Sequence, residues 1–216
     1  MPIRVITIER EYGSGGALIA EKLAQRLEWK LWDAALTGEI ARRAHVPVES
    51  ARSCDEHVDP LLYRLFKVFA RGSYERHLPV GGDNGEFDTD HMVGTLCAVV
   101  KDAASSGNCV IVGRGSPFIL RERSDAFHVF VFAPLDEKVR RLRAMGKTDG
   151  DARDLIDTID RERGQFIKRY FGGEWPHRPL YDLMINSELG DDYVMDMILH
   201  GVALAEKLSA ARHATA

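Results

Sequence analysis

The chain has 216 residues, 45% hydrophobic and 29% charged, with a formal net charge of -4 and a sequence pI of about 6.1. That length suits one domain, or one domain carrying an inserted lobe, around a large shared core. The acidic balance lacks the basic footprint of a duplex nucleic-acid binder, and no apolar run approaches the ~18 residues of a membrane span. Nucleic acid and membrane are therefore not expected partners. The eight histidines form no HExxH or HxH cluster, so no protein-ligated metal is expected. Cys54, Cys97 and Cys109 lack CxxC spacing and are odd in number, and the chain enters its first strand with no charged-then-apolar leader. A reducing, cytoplasmic location is the expectation.

In chain order, Val5 to Ile8 is a short β-branched apolar run, Tyr12 to Gly16 is glycine-rich, and Ile19, Leu23 and Leu27 repeat at helical spacing. Strand, loop and helix in that order aim loop amides and a helix N-terminus at one spot, which makes either a phosphate cradle or a tight turn. The phosphate-loop pattern GxxxxGK[ST] keeps Gly15 but places Arg10, Gly16 and Ala17 at its other fixed positions. Trp29 to Trp32 reads as a second strand ending at Asp33, a residue placed either to meet a ligand at a strand's carboxyl end or to cap the next helix.

Helical patterns follow at Leu36, Ile40 and Ala44, at Leu62 to Phe69 and at Val93 to Ala104, with an acidic loop from Pro79 to Asp90. That loop lacks the twelve-residue calcium pattern and reads as solvated. Cys109 to Val112 is a buried parallel strand that ends in Gly113, Arg114, Gly115 and Ser116, where an arginine between glycines favours anion binding over a structural salt bridge. Phe127 to Phe132 is a fourth strand. Asp136 to Ala144 is a short helix bearing Arg140, Arg141 and Arg143, followed by a polar loop from Met145 to Asp151. Those arginines could close over a polyphosphate or form a solvated basic face. A long helix from Ala152 to Tyr170 carries Asp160 and Arg163 three apart, the spacing of a surface ion pair worth ~0.2 to 0.5 kcal/mol. Leu183 to Asn186 is a fifth strand and Tyr193 to Leu208 the closing helix. Alternating strands and helices predict a parallel α/β sheet.

In this order the segments resemble the cytidylate kinase-like family, a branch of the nucleoside monophosphate kinases within the phosphate-loop fold. The likeness is carried by ITIEREYGSGG (Ile6 to Gly16), LWD (Leu31 to Asp33), VIVGRGS (Val110 to Ser116), VFVFAP (Val129 to Pro134), IDRERGQFIKRYFG (Ile159 to Gly172) and YDLMINS (Tyr181 to Ser187). It implies a single domain over 1–216 with a five-stranded sheet of order 2-3-1-4-5. The core would be 1–33 and 107–216, with an inserted helical lobe at about 34–106 and a short lid at about 140–152. It also implies transfer of the γ-phosphoryl of ATP, with Mg²⁺, to a nucleoside monophosphate such as CMP or dCMP.

By the same likeness, Tyr12, Gly13, Ser14, Gly15, Gly16 and Ala17 would hold ATP, while Asp33, Arg114, Asp160 and Arg163 match positions lining the monophosphate site. Arg140, Arg141 and Arg143 fall where the family has its lid arginines. The chain departs from cytidylate kinases at Gly16 and Ala17, where GSGKGT would have lysine and its neighbour, and at Gly115, the aspartate of GRD. Arg10 is then the candidate cation replacing that lysine. The alternatives to this enzyme are a nucleotide-binding regulatory module acting through a protein partner, and a kinase for another small acceptor.

Overall fold

The computed structural model describes residues 1–43 and 89–214. The helical pattern at Leu62 to Phe69 and the acidic stretch from Pro79 to Asp88 lie outside the described residues. The described part begins with β1 (Val5–Arg10), α1 (Gly16–Leu27), β2 (Lys30–Trp32), α2 (Ala34–Arg43), α3 (Thr89–Ser106), β3 (Cys109–Val112) and α4 (Ser116–Ile119). It continues with β4 (Ala126–Phe132), α5 (Leu135–Ala144), α6 (Asp149–Phe171), β5 (Leu183–Asn186) and α7 (Asp191–Ala214).

All five strands are parallel in the order β2-β3-β1-β4-β5, as expected. The central strands are buried on both faces, which explains why they read as unbroken apolar runs rather than alternating ones. Their side chains divide between two cores. Val5, Cys109 and Ile111 pack under α2, α3 and α6 with Leu36, Val100 and Phe166. Ile6, Ile8, Val110 and Val129 pack under α1 and α7 with Ile19, Leu23, Val194 and Ile198. A third cluster, with Tyr12, Val139, Leu142, Ile156 and Ile159, clamps the α5–α6 pair beside the first loop.

Two boundaries differ from expectation in ways that matter for the site. β1 runs on through Glu9 and Arg10, because β4 extends far enough to pair them with Phe130 and Val131. Arg10, expected on the loop, is therefore the last residue of a strand. The polar loop expected at Met145 to Asp151 is shorter, because Thr148 caps α6 by accepting a 3.2 Å hydrogen bond from the Asp151 amide. Asp149 to Asp151 form the first helical turn, which leaves a tight connection between α5 and α6.

Candidate active site

The loop between β1 and α1 is buried from Tyr12 to Gly16. Gly13 and Gly15 both adopt φ of 79°, and Gly15 caps α1 without any side-chain hydrogen bond. The first amides of α1 therefore keep the unpaired donors of a helix N-terminus, the arrangement that suits an anion. Ser14 is turned inward, donating to the Glu11 carbonyl at 2.8 Å, while its own carbonyl accepts 2.6 Å from Ser187 Oγ. Ala17 follows with no hydroxyl to offer.

Gly16 leaves no room for a side chain. A Cβ there would lie 2.6 Å from Arg10 Cβ and 2.9 Å from its Cγ, so the stem of Arg10 occupies the volume that a residue-16 side chain needs. The Arg10 head continues across the β1 and β3 ends, where a Cβ on Gly113 would collide with its Nη1. Restoring the lysine is therefore not a repair. Gly16→Lys is expected to lose ~1 to 3 kcal/mol through overpacking and to leave ATP affinity no higher. A variant of unchanged urea midpoint that binds ATP more tightly would contradict this.

Beyond Gly113 the backbone makes an unusual turn. Gly113, Arg114 and Gly115 have φ of 66°, 64° and 64°, three left-handed residues in a row. The central one costs ~1 to 2 kcal/mol for a residue with a Cβ. The turn directs Arg114 inward, where only 2% of it is exposed and its guanidinium lies 3.8 Å from the Asp33 carboxylate at the end of β2. Gly115 is needed because a Cβ there would be 2.6 Å from the Phe171 ring. Its amide donates 3.2 Å to Glu9 Oε1, and Glu9 Oε2 accepts 3.3 Å from Trp175 Nε1.

Arg163 completes the cluster from α6. Far from forming a surface pair with Asp160, it is 6% exposed and donates from Nη1 to the Arg10 carbonyl at 2.6 Å and to Asp160 Oδ1 at 3.1 Å. It shares the buried face of α6 with Ile156, Ile159 and Phe166, so helical spacing carries it inward. Arg10, Arg114, Arg163 and Glu9 line one small cavity with Trp175 and Phe166. Burial above all, with repulsion from Arg10, brings the Arg114 and Arg163 guanidinia down to about 10 against the opposing pull of Asp33 and Asp160. A bound anion would relieve that repulsion.

Asp160 sits at the seam between this cavity and the loop. Its Oδ1 accepts 2.8 Å from the Tyr12 amide, and its Oδ2 lies 3.9 Å from Lys138 Nζ. Burial lifts its carboxyl to about 6, against the pull of Arg163, the Tyr12 amide and Lys138. The folded-state value lies above the ordinary 3.8, so this group's stabilisation is complete below about pH 4 and is lost as pH rises through about 6. Asp160→Asn is expected to flatten that part of the stability curve. Urea unfolding at a series of pH values checks it, and an unaltered slope would refute it.

The three arginines of the expected lid divide. Arg141 lies across Gly15 and donates 2.9 Å to Asp191 Oδ1 and 3.0 Å to the Ser187 carbonyl. Arg140 is held on the outer surface by Glu137, and Arg143 points outward with its side chain 64% exposed. Only Arg141 of the three is brought to the loop. Sequence reasoning passed over Lys138, one turn earlier on the same face. It is 8% exposed, its Cβ packs against the Gly13 position, and its Nζ lies 2.9 Å from Glu11 Oε2. The spacing to Arg141 and Leu142 was the available signal.

Among the described residues no group of three His, Cys, Asp or Glu is placed to hold a metal ion, and no helix is long and apolar enough to cross a membrane. The model of the cytidylate kinase-like family matches residues 5–189. A curated cytidylate kinase of Methanosarcina mazei is 30% identical over 91 residues, 41% of this chain and 51% of that protein. The match thus spans about half the length of that relative. An uncharacterised protein from Eubacterium ventriosum superposes with a TM-score of 0.67 at 20% identity, covering 93% of this chain and 98% of that one. A shikimate kinase from Bacteroides thetaiotaomicron does so with a TM-score of 0.50 at 20% identity, covering 96% and 98%. The strand order, the loop at the end of β1 and the match across β1 to β5 agree, and the chain belongs to the cytidylate kinase-like family.

Proposed function

We propose that the protein transfers the γ-phosphoryl group of ATP to a nucleoside monophosphate, with CMP or dCMP as the foremost acceptors. The observation that carries this reading is the convergence of buried Arg10, Arg114 and Arg163 on one cavity beside the loop. Packing like charges together without solvent is costly unless the site exists to receive an anion. Carboxylates of Glu9, Asp33 and Asp160 offset them in the resting state.

In this reading Tyr12 to Ala17 hold the ATP phosphates, with Arg141 and Lys138 above the loop. Arg114 and Arg163 bind the acceptor phosphate, oriented by Asp33 and Asp160. Arg10 lies between the two sites and faces the charge that develops during transfer. An acceptor phosphate oxygen forms the new bond to the γ-phosphorus as the bond to the ADP oxygen breaks. Mg²⁺ is proposed to enter with ATP, since Ala17 supplies no hydroxyl and among the described residues no group of three His, Cys, Asp or Glu is placed to hold a metal ion.

The test is ADP formation with MgATP against a panel of nucleoside monophosphates, read above the background without acceptor. Turnover led by CMP or dCMP supports the reading. ATP binding with no response to any acceptor would overturn it in favour of a regulatory nucleotide-binding module, which the lysine-free loop also fits. Turnover with only a non-nucleotide acceptor would keep the phosphotransferase and discard the monophosphate.

A further inference from the structure

The closing helix α7 has two unlike halves of its circumference. Val194 and Ile198 are fully buried against the sheet, and Glu206 accepts 2.8 Å from the Ile3 amide, so one side is committed to the core. On the other side Tyr193, Met197, Leu204 and Leu208 are 49%, 36%, 46% and 62% exposed. At ~100° per residue these four fall within about 60° of arc, a continuous stripe roughly 22 Å long. Large apolar side chains scattered singly need no explanation, but four aligned on one face of one helix do.

The charges beside the stripe say what covers it. Asp196 and Lys207 both lie on its solvent-side flank, both are exposed, and neither has an ion pair among the described residues. The stripe is symmetric about the His200–Gly201 step, with Tyr193 balancing Leu208 and Met197 balancing Leu204. Asp196 and Lys207 are symmetric about the next step. When two helices pack antiparallel about a two-fold axis, residues on the same flank face each other across the seam. A second copy laid antiparallel on this stripe therefore brings its Leu204 onto Met197, its Leu208 onto Tyr193 and its Lys207 beside Asp196, and the reverse contacts follow by symmetry. A parallel arrangement would set that flank apart and leave both charges unmatched.

We propose that the stripe on α7 is the interface of a symmetric homodimer, in which Tyr193, Met197, Leu204 and Leu208 pair antiparallel with their counterparts and two Asp196–Lys207 ion pairs set the register. None of the four residues lines the cavity of Arg10, Arg114 and Arg163, although the stripe begins two residues after the Asp191 that holds Arg141. One helix face is smaller than the ~800 Å² per partner of a standard interface, which places the dimer among the weaker associations.

Sedimentation velocity on the full chain from about 1 to 100 µM is expected to show a concentration-dependent dimer. Leu204→Glu should leave monomer across that range, with an unchanged melting temperature at dilutions where the wild type is also monomeric, because the side chain contributes to no core. Asp196→Lys should weaken the dimer by about tenfold or more, and Asp196→Lys combined with Lys207→Asp should restore it. A wild-type chain that stays monomeric throughout, or a dimer indifferent to Leu204→Glu, would overturn the proposal. A charge exchange that fails to restore association would overturn the antiparallel register.

Discussion

Arg10→Ala is expected to lower acceptor-dependent turnover by about 10³- to 10⁵-fold, or about 4 to 7 kcal/mol of barrier, with ATP binding reduced far less. The reason is positional. Arg10 ends a central strand, its stem fills the space over Gly16 and its head lies across the Gly113 position, between the phosphate loop and the pair Arg114 and Arg163. A cation there faces charge in the transition state more than in either ground-state ligand, and such contacts act on rate rather than on affinity. Single-turnover rates at saturating ATP and acceptor separate the two quantities. Equal rates for variant and wild type would remove Arg10 from the mechanism and leave Lys138 and Arg141 as the cations to examine next.

Arg163→Met is expected to destabilise the fold by ~3 to 5 kcal/mol in urea unfolding. The guanidinium holds the end of β1 to the middle of α6 through the Arg10 carbonyl, and it is the nearest cation to the Asp160 carboxylate. Lys138 is 3.9 Å from the other oxygen of that carboxylate and already engages Glu11, so it offers only partial cover. Removing Asp160 as well should recover much of the loss, because a pair of apolar side chains in such a place is often no less stable than the ion pair. A single substitution costing below about 1 kcal/mol would mean that solvent reaches the pair and that its burial contributes little.

The fold was legible because its signals are local. β-branched runs at β1, β3 and β4 and helical spacing in α1, α6 and α7 each fix an element, and alternation of the two fixes a parallel sheet. The site was legible only in part, because its residues act through side-chain direction. Arg114 was visible as an arginine between glycines at a strand end, and Asp33 as the residue closing β2. Spacing alone made Arg163 a surface partner of Asp160, and only the family likeness set it at the site; its buried place beside Ile156, Ile159 and Phe166 follows from the helical face they share. Glu9 and Trp175 were missed because they meet only in three dimensions, one from a strand and one from the segment after α6. Lys138 was hidden among arginines whose outer members, Arg140 and Arg143, serve the surface.

The contact between Gly16 and the Arg10 stem constrains how such a protein can change over generations. A side chain at residue 16 meets the Arg10 stem unless the side chain at residue 10 has been shortened, and shortening it first removes the buried cation at the end of β1. Each single step thus passes through a form that is either overpacked or lacking its cation. A designer who wants a lysine in this loop must therefore change both residues together.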